Sequence, residues 1–225
     1  MVFDRQKSSL IRLLEKGRVI GNDMLDFSMI INHRIDVALL QQLCKKVVSQ
    51  KTVDIDAVCT VAASGIGLST IIGTELRCPV IFAQKGENPP VIMTGKRILQ
   101  RRITSPTKGN VISIYLCSEA FEGCKNVLLA DDFLFRGATM GALIEMIREL
   151  NMEPREVLVF VNKSFDKGWR VVSEDYKVPV RKFVSIDKIE TDGRQALLHI
   201  DELMFEPCDK TIRIARFIPE KQAPF

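Results

Sequence analysis

Residues 126–139 read NVLLADDFLFRGAT, and this stretch decides the fold. Val127 to Ala130 have the length and composition of a fully buried strand. A short turn containing Gly137 follows, and apolar residues then recur at helical spacing from Met140 to Leu150. The turn therefore lies where the carboxyl end of a strand meets the amino terminus of a helix. Because backbone N–H groups are free there and the helix dipole is positive, the turn predicts a phosphate-binding site.

Two adjacent acids, Asp131 and Asp132, stand between the predicted strand and this turn. Paired carboxylates at a strand tip repel each other unless a ligand or a cation uses them. Carboxylates accept hydrogen bonds from ribose hydroxyls, so the pair beside a phosphate loop is typical of a sugar-phosphate site. A solvated acidic turn is the alternative for the acid pair alone. Strand, acid pair, glycine turn and helix together favour the ligand site.

The rest of the chain repeats the alternation of strand and helix. Strands are predicted at residues 57–62, 79–83, 111–117, 127–130 and 157–161. One helix is predicted from Leu10 to near Gly17, and a second from Asp36 as N-cap through Val47. A third follows the loop at residues 63–67 and runs through Glu75. This order predicts an α/β fold with a central, mostly parallel sheet flanked by helices, in a single domain over residues 1–225. Ligands bind such sheets beyond the carboxyl ends of the strands.

A second loop of small residues, ASGIG at residues 63–67, also joins a strand to a helix. At Ser64 and Gly65 the backbone can approach a ligand closely, and its N–H groups can hold an anion. A tight strand–helix connection that needs glycine for its geometry alone is the alternative. The presence of two such loops in one chain favours anion binding.

Residues 85–110 differ from the rest, being basic and rich in Gly and Pro. Glu87 is the one acid among Lys85, Lys96, Arg97, Arg101, Arg102 and Lys108. The segment predicts either a mobile lid over a polyanionic leaving group or a solvated basic hairpin. Lys85, just past a strand end, is the member we expect to touch phosphate.

Composition narrows the class of protein. With 46% hydrophobic and 27% charged residues the chain is typical of a globular protein, and no apolar run reaches the length of a membrane span. The N-terminus lacks the features of a signal peptide, so we expect a cytoplasmic protein without a membrane partner. Six cysteines without a C-x-x-C pair and two histidines predict reduced thiols and no zinc site. A net charge of +4 gives no reason to expect a nucleic-acid partner.

These motifs together resemble the type I phosphoribosyltransferases, and among them xanthine phosphoribosyltransferase. The stretches that carry the resemblance are NHRID at residues 32–36, ASGI at 63–66, PVIFAQK at 79–85, DDFL at 131–134 and NKSF at 162–165. The resemblance covers roughly residues 5–190. DDFL and the asparagine–histidine segment are its most specific parts.

The resemblance implies a fold in which residues 1–50 and about 162–225 contribute a small purine-binding hood and a tail, with residues 85–110 as a mobile basic loop. It implies transfer of the 5-phosphoribosyl group from phosphoribosyl diphosphate (PRPP) to the 6-oxopurine xanthine, with release of pyrophosphate. Mg²⁺ would accompany the diphosphate, and the enzyme would be a homodimer. The substrates are small molecules.

Roles for individual residues follow from the same resemblance. The purine site would contain Leu25, Asn32 and Lys163, with Lys163 on an exocyclic oxygen of the base. Asp131 and Asp132 would be the catalytic ribose-binding acids and the one possible pair of direct metal ligands. PRPP would be bound by Ser64, Gly65, Lys85, Phe135, Arg136, Gly137, Ala138 and Thr139.

Three features depart from the family pattern. Arg136 replaces the usual Asn or Thr, and Phe135 stands where hypoxanthine–guanine transferases carry an acid, so no general base is evident. The tail after about Leu198 predicts an added strand or an interface.

Two alternatives stay open at this point: a PRPP-sensing regulator of transcription, and a transferase for guanine or hypoxanthine, adenine or orotate. Asn32 and Lys163 favour a 6-oxopurine.

Overall fold

The fold was analysed in a computed structural model that describes residues 9–21, 23–50, 53–88, 97–104, 110–192, 195–204, 210–214 and 217–218. The strands in these ranges are β1 (Arg18–Ile20), β2 (Met24–Asp26), β3 (Ala57–Val61), β4 (Val80–Gly86), β5 (Ile98–Thr104), β6 (Val111–Cys117), β7 (Asn126–Leu134), β8 (Glu153–Lys163), β9 (Val180–Thr191), β10 (Ala196–Leu203), β11 (Lys210–Ile214) and β12 (Phe217–Ile218). The α-helices are α1 (Ser9–Leu14), α2 (Val37–Ser49), α3 (Ser64–Leu76), α4 (Ala138–Glu149) and the single turn α5 (Gly168–Arg170). Shorter helical turns lie at Ser28–Asn32, Ser118–Phe121, Ser164–Asp166 and Val171–Asp175.

A nine-stranded sheet forms the centre of the molecule, in the order β11-β10-β9-β8-β7-β3-β4-β6-β5. Its five middle strands, β9, β8, β7, β3 and β4, run parallel. Antiparallel strands extend it on both sides, β10 and β11 at one edge and β6 and β5 at the other. The predicted α/β fold with a mostly parallel central sheet is confirmed.

Helices cover both faces of this sheet because the inner strands are apolar on both sides. Leu68 and Ile72 of α3 and Leu40 of α2 belong to one buried cluster, which also contains residues of α1. Leu143 and Ile147 of α4 belong to a second cluster on the other face. In α2, Asp36 is the predicted N-cap, and its Oδ1 accepts a hydrogen bond of 3.3 Å from the N–H of Leu39. None of the described helices is long and apolar enough to cross a bilayer.

A second, three-stranded sheet, which we call the hood, has the order β12-β1-β2. β1 pairs antiparallel with β2 and parallel with β12, where Val19 lies opposite Phe217. A π-helical turn follows β2 and ends at Asn32. The final described strand of the chain therefore completes the sheet that its first strand begins.

The hood is smaller than the segments we predicted for it. α2 packs on α3 as part of the main layer, although it falls within residues 1–50. β9, β10 and β11 join the central sheet because apolar side chains such as Ile200 and Leu203 extend its buried cluster. Of residues 162–225, the described part that reaches the hood sheet is β12. The tail does add strands, as the sequence indicated.

Two predicted boundaries also differ. β7 continues through Leu134, so both acids lie within the strand; Asp131 pairs with Val159 and Leu134 with Asn162 of β8. In the basic segment, residues 98–104 form β5, which pairs antiparallel with β6; this agrees with the basic hairpin that the sequence left open and not with a loop throughout.

Leu99 and Ile103 of β5 are buried, and Arg101 lies between them on the same face of the strand, because side chains two residues apart point the same way. Gln100 and Arg102 alternate with them and are exposed. The guanidinium of Arg101 forms ion pairs of 3.2 Å with Glu145 and 2.6 Å with Glu149 of α4. The glycines and prolines on both sides of residues 98–104 favour turns, so the strand pattern between them was not recognised in the sequence. The described part of the segment is one strand of a hairpin with β6, and residues 89–96 and 105–109 lie outside the described residues.

Candidate active site

The turn between β7 and α4 has the geometry of an anion-binding loop. Gly137 is the N-cap of α4 with φ of 82°, a left-handed conformation that glycine adopts without strain. Glycine has no side chain to cap the helix, so the N–H groups of the first turn remain for a ligand. Gly168 closes one side of the loop, since a Cβ on it would overlap the carbonyl of Phe135 and lie 2.7 Å from the Gly137 nitrogen.

Asp132 is the centre of a hydrogen-bond cluster that joins three parts of the molecule. Its carboxylate is 6% exposed. It accepts a hydrogen bond of 2.9 Å from Nδ2 of Asn32, in the π-helical turn after β2, and one of 3.0 Å from Ser64 Oγ at the start of α3. The N–H of Phe133 donates a third bond of 3.0 Å. Predicted residues that lie 100 and 68 positions apart in sequence are therefore in direct contact.

Because a carboxylate only accepts hydrogen bonds, the NH₂ of Asn32 must be the group that faces Asp132. The carbonyl oxygen of Asn32 is buried and has no hydrogen-bond partner among the described residues. The NH₂ group of Asn32 is therefore bound to Asp132, and its carbonyl oxygen is left to accept a hydrogen bond from a ligand.

Asp131 differs from its neighbour in its surroundings. It is half-buried, and its Oδ1 accepts a hydrogen bond of 2.9 Å from the N–H of Asp132. Burial, followed by the charge of Asp132, raises the pKa of Asp131 well above its usual range, and the Lys85 ammonium lowers it in part. A cation beside Asp131 would favour the ionised carboxylate.

Gly65 and Thr60 lie against Asp131. A Cβ at Gly65 would overlap Thr60 Oγ1 and lie 2.7 Å from Asp131 Oδ1. Thr60 is fully buried on β3, and its hydroxyl has no hydrogen-bond partner in the described part of the chain. Sequence reasoning did not identify Thr60, because a threonine inside an apolar strand carries no local functional signal.

Lys163, at the end of β8, is buried with 4% exposure. Its Nζ lies 3.1 Å from Asp166 Oδ2 and 3.6 Å from Asp23 Oδ2. The rings of Phe135 and Phe165 lie 5.0 Å and 4.7 Å from the ammonium, measured to their centroids. The structure thus brings Lys163 next to Phe135 of the loop between β7 and α4.

Apolar side chains fill the space between the hood and β7. Phe27 stacks on Phe133 with a centroid distance of 5.9 Å, and Phe133 stacks on Phe135 at 5.5 Å. Leu25 is buried in the same cluster as Phe27 and Ile30. Aromatic side chains of this kind provide an apolar surface on which a planar base can pack.

The remaining predicted residues are more open to solvent. Lys85 and Arg136 are exposed, as is Ala138, while Thr139 is half-buried at the start of α4. Lys85 is near enough to influence the pKa of Asp131, which puts it on the acid-pair side of the site. Arg136 is in the loop itself and points its charge towards solvent.

Within the described ranges, no group of three or more His, Cys, Asp or Glu side chains could enclose a metal ion. Asp131 and Asp132 are the carboxylates of the site that could contribute to binding a metal ion. Mg²⁺ often binds through one or two carboxylates together with substrate phosphates and water, so the site fits Mg²⁺ carried by a diphosphate. The raised pKa of Asp131 supports this fit, since a divalent cation would compensate its burial.

Known proteins resemble this chain in both sequence and fold. Xanthine phosphoribosyltransferase of Acinetobacter baumannii is 33% identical over 172 residues, which are 72% of this chain and 88% of that protein. The Clostridium novyi protein of the same name is 29% identical over 80% of this chain and 93% of its own. A solved structure of adenine phosphoribosyltransferase from Trypanosoma brucei has a TM-score of 0.65, with 16% identity over 80% of this chain and 81% of that one. No family model matches the chain.

Proposed function

The chain belongs to the family of xanthine phosphoribosyltransferases, and we propose that it transfers the 5-phosphoribosyl group of PRPP to xanthine in purine salvage. The products are xanthosine monophosphate and pyrophosphate. The observation that carries this proposal is the Asp132 cluster. One carboxylate binds Asn32, in the turn after β2, and the α3 residue Ser64, while its neighbour Asp131 is half-buried beside them. Ribose, diphosphate and base would meet at this point.

The reaction is a displacement at the anomeric carbon of ribose. A bond forms between a ring nitrogen of the base and C1′, the C1′–O bond to pyrophosphate breaks, and the base loses a ring proton. Asp131 would accept hydrogen bonds from ribose hydroxyls and place negative charge near the positive charge that develops on the ring. The N-terminus of α4 would hold the 5′-phosphate, and Ser64, Gly65 and Lys85 would face the diphosphate. Positioning would supply much of the rate.

Asp131 is the side chain best placed to share a Mg²⁺ ion with the substrate. Bound with the diphosphate, Mg²⁺ would neutralise the charge of the leaving group. Lys163 would donate to an exocyclic oxygen of the base, and Asn32 would contribute its free carbonyl oxygen as an acceptor. Both contacts suit a 6-oxopurine.

We further propose a cytoplasmic homodimer. Among the described residues, Cys44, Cys59, Cys117 and Cys124 are free thiols, which is consistent with a reducing compartment. Phe82 on β4 is 40% exposed, an apolar side chain that a second subunit would cover. Gel filtration at increasing concentration tests the dimer directly, and a monomer at micromolar concentration would contradict it.

The activity assay offers xanthine, guanine, hypoxanthine, adenine and orotate separately to the purified protein with Mg²⁺ and PRPP, and follows release of pyrophosphate. We expect the highest kcat/KM with xanthine. Asp131→Asn keeps the size of the side chain and removes its charge, so it should abolish turnover and serves as the negative control. Turnover that prefers another base would refute the choice of xanthine. Tight binding of PRPP without turnover of any base would favour the regulator.

A further inference from the structure

Lys163 forms a close pair with Asp166, an acid that no motif of the sequence singled out. Asp166 closes the 3-10 turn that follows β8, and its side chain is 20% exposed. Its Oδ2 lies 3.1 Å from Lys163 Nζ, whereas Asp23, the other acid near this ammonium, lies at 3.6 Å and is 71% exposed. A donor and an acceptor are thus held side by side, and only Asp166 is shielded from water.

Such a pair is complementary to a carbonyl with a ring N–H beside it. An ammonium has three N–H donors and no acceptor, while a carboxylate only accepts. Both carbonyls of xanthine have a ring N–H next to them, so the match holds whichever carbonyl Lys163 binds. Adenine has the opposite order, with an amino donor next to a ring nitrogen acceptor. Bound in the same place, adenine would set its amino donor against the ammonium of Lys163 and its ring nitrogen acceptor against the carboxylate of Asp166.

We propose that Asp166 is a specificity-determining residue that accepts the ring N–H adjacent to the base oxygen bound by Lys163. The proposal rests on the proposed function in assuming that a 6-oxopurine binds beside Lys163. Asp166 also holds the ammonium in place between Phe135 and Phe165. A site without this acid would still attract a carbonyl through Lys163, but it would lose the contact that distinguishes a ring N–H from a ring nitrogen acceptor.

The test compares Asp166→Asn with Asp23→Asn, which removes a charge from the same lysine at the exposed position. The amide is a weaker acceptor than the carboxylate, and its NH₂ can donate to the ring nitrogen of adenine. We expect Asp166→Asn to raise the KM for xanthine about tenfold or more, with the KM for PRPP changed by less than about twofold. The preference for xanthine over adenine should fall by at least the same factor. Asp23→Asn should change both values by less than about twofold, and Asp166→Glu should restore part of the preference.

Three results would overturn the proposal. An unchanged order of bases in Asp166→Asn would remove Asp166 from base selection. Equal increases in KM for xanthine and PRPP would indicate a general distortion of the site. Similar changes in KM and in base preference in Asp166→Asn and Asp23→Asn would show that loss of a negative charge near Lys163 causes them, and not loss of the buried acceptor. Thermal unfolding of each variant identifies any that fail to fold, in which case Asp166→Glu alone decides by its order of bases.

Calorimetric binding separates this proposal from the proposed function. Xanthine and adenine are titrated into wild-type protein and Asp166→Asn in the presence of pyrophosphate and Mg²⁺, so that no turnover is needed. If wild-type protein binds xanthine more tightly than adenine and the variant loses that difference, Asp166 selects the base even when catalysis fails. If wild-type protein binds neither base, the proposal falls together with the choice of substrate.

Discussion

Replacing Gly65 with alanine tests whether the loop before α3 holds Asp131 in its working position. The new Cβ would overlap Thr60 Oγ1 and lie 2.7 Å from Asp131 Oδ1. Ordinary contacts of a Cβ begin at 3.4 Å, so the carboxylate must retreat by about 0.7 Å even if Thr60 yields. Thr60 is fully buried on β3 and Asp131 is within β7, so neither side chain can swing freely away.

A displacement of this size affects chemistry more than stability. A misplacement of about 1 Å can cost a factor of about 100 in rate, so we expect kcat/KM of Gly65→Ala to fall between about tenfold and 100-fold. Crowding in a packed region costs about 1–3 kcal/mol in the free energy of unfolding. Because alanine is more favourable than glycine in a helix, the substitution offsets up to about 1 kcal/mol of this loss in the free energy of unfolding.

Steady-state kinetics and urea denaturation measure the two effects in the same variants. Gly67→Ala is the matched stability control in α3, since its Cβ meets the terminal Cδ1 of Ile35 at 2.5 Å, an atom that can rotate away. The double variant Thr60→Ala with Gly65→Ala removes the overlapping hydroxyl but leaves the contact with Asp131. It should recover stability and remain slow. A Gly65→Ala enzyme with wild-type kcat/KM would refute the reasoning, as would full recovery of activity in the double variant.

Three further substitutions probe other parts of the structure. Since burial and the charge of Asp132 raise the pKa of Asp131, ionising this acid opposes folding at neutral pH. Asp131→Asn should therefore raise the free energy of unfolding at pH 7 by on the order of 0.5–2 kcal/mol. The gain should shrink as pH falls towards about 4, where Asp of the unfolded chain is also protonated; urea denaturation across this range checks it. Arg101→Ala removes exposed ion pairs to α4, so it should cost less than about 1 kcal/mol and leave the KM for PRPP within about twofold, as kinetics can establish. Ile218→Pro should weaken the pairing of β12 with β1, where Ile218 lies opposite Ile20, and raise the KM for xanthine but not for PRPP.

Local signals in the sequence predicted the parts of the fold that local physics controls. The buried strand at residues 127–130, the turn at Gly137 and the helix after it follow from apolar spacing and glycine conformation, and all three are present. The same holds for the N-cap at Asp36. For residues 85–110 a basic hairpin was one of two interpretations, but β5 was not placed, because its alternation of buried and exposed residues is short and lies among residues that favour turns.

Long-range contacts were beyond such reasoning. The bond between Asn32 and Asp132 spans 100 positions, and no spacing rule predicts which donor a carboxylate will meet. The contact of Gly65 and Thr60 with Asp131 depends on the register of β3 beside β7. The pair of Lys163 with Asp166 is different, because a separation of three residues is visible in sequence, and an acid at that spacing could have been considered.

The order of strands explains why residues from distant parts of the chain meet at one place. β3, β7 and β8 are parallel neighbours, so their carboxyl ends lie along one edge of the sheet. Ser64 follows the first, the acid pair lies at the end of the second, and Lys163 ends the third. Asn32 alone comes from outside this edge: it ends the π-helical turn that follows β2 and packs against α3. Since β12 pairs with β1 and β1 with β2, the hood sheet links the end of the described chain to the segment that leads into the turn ending at Asn32. We therefore expect base binding to depend on the pairing of β12 as well as on the residues proposed to contact the base, which the Ile218→Pro variant tests.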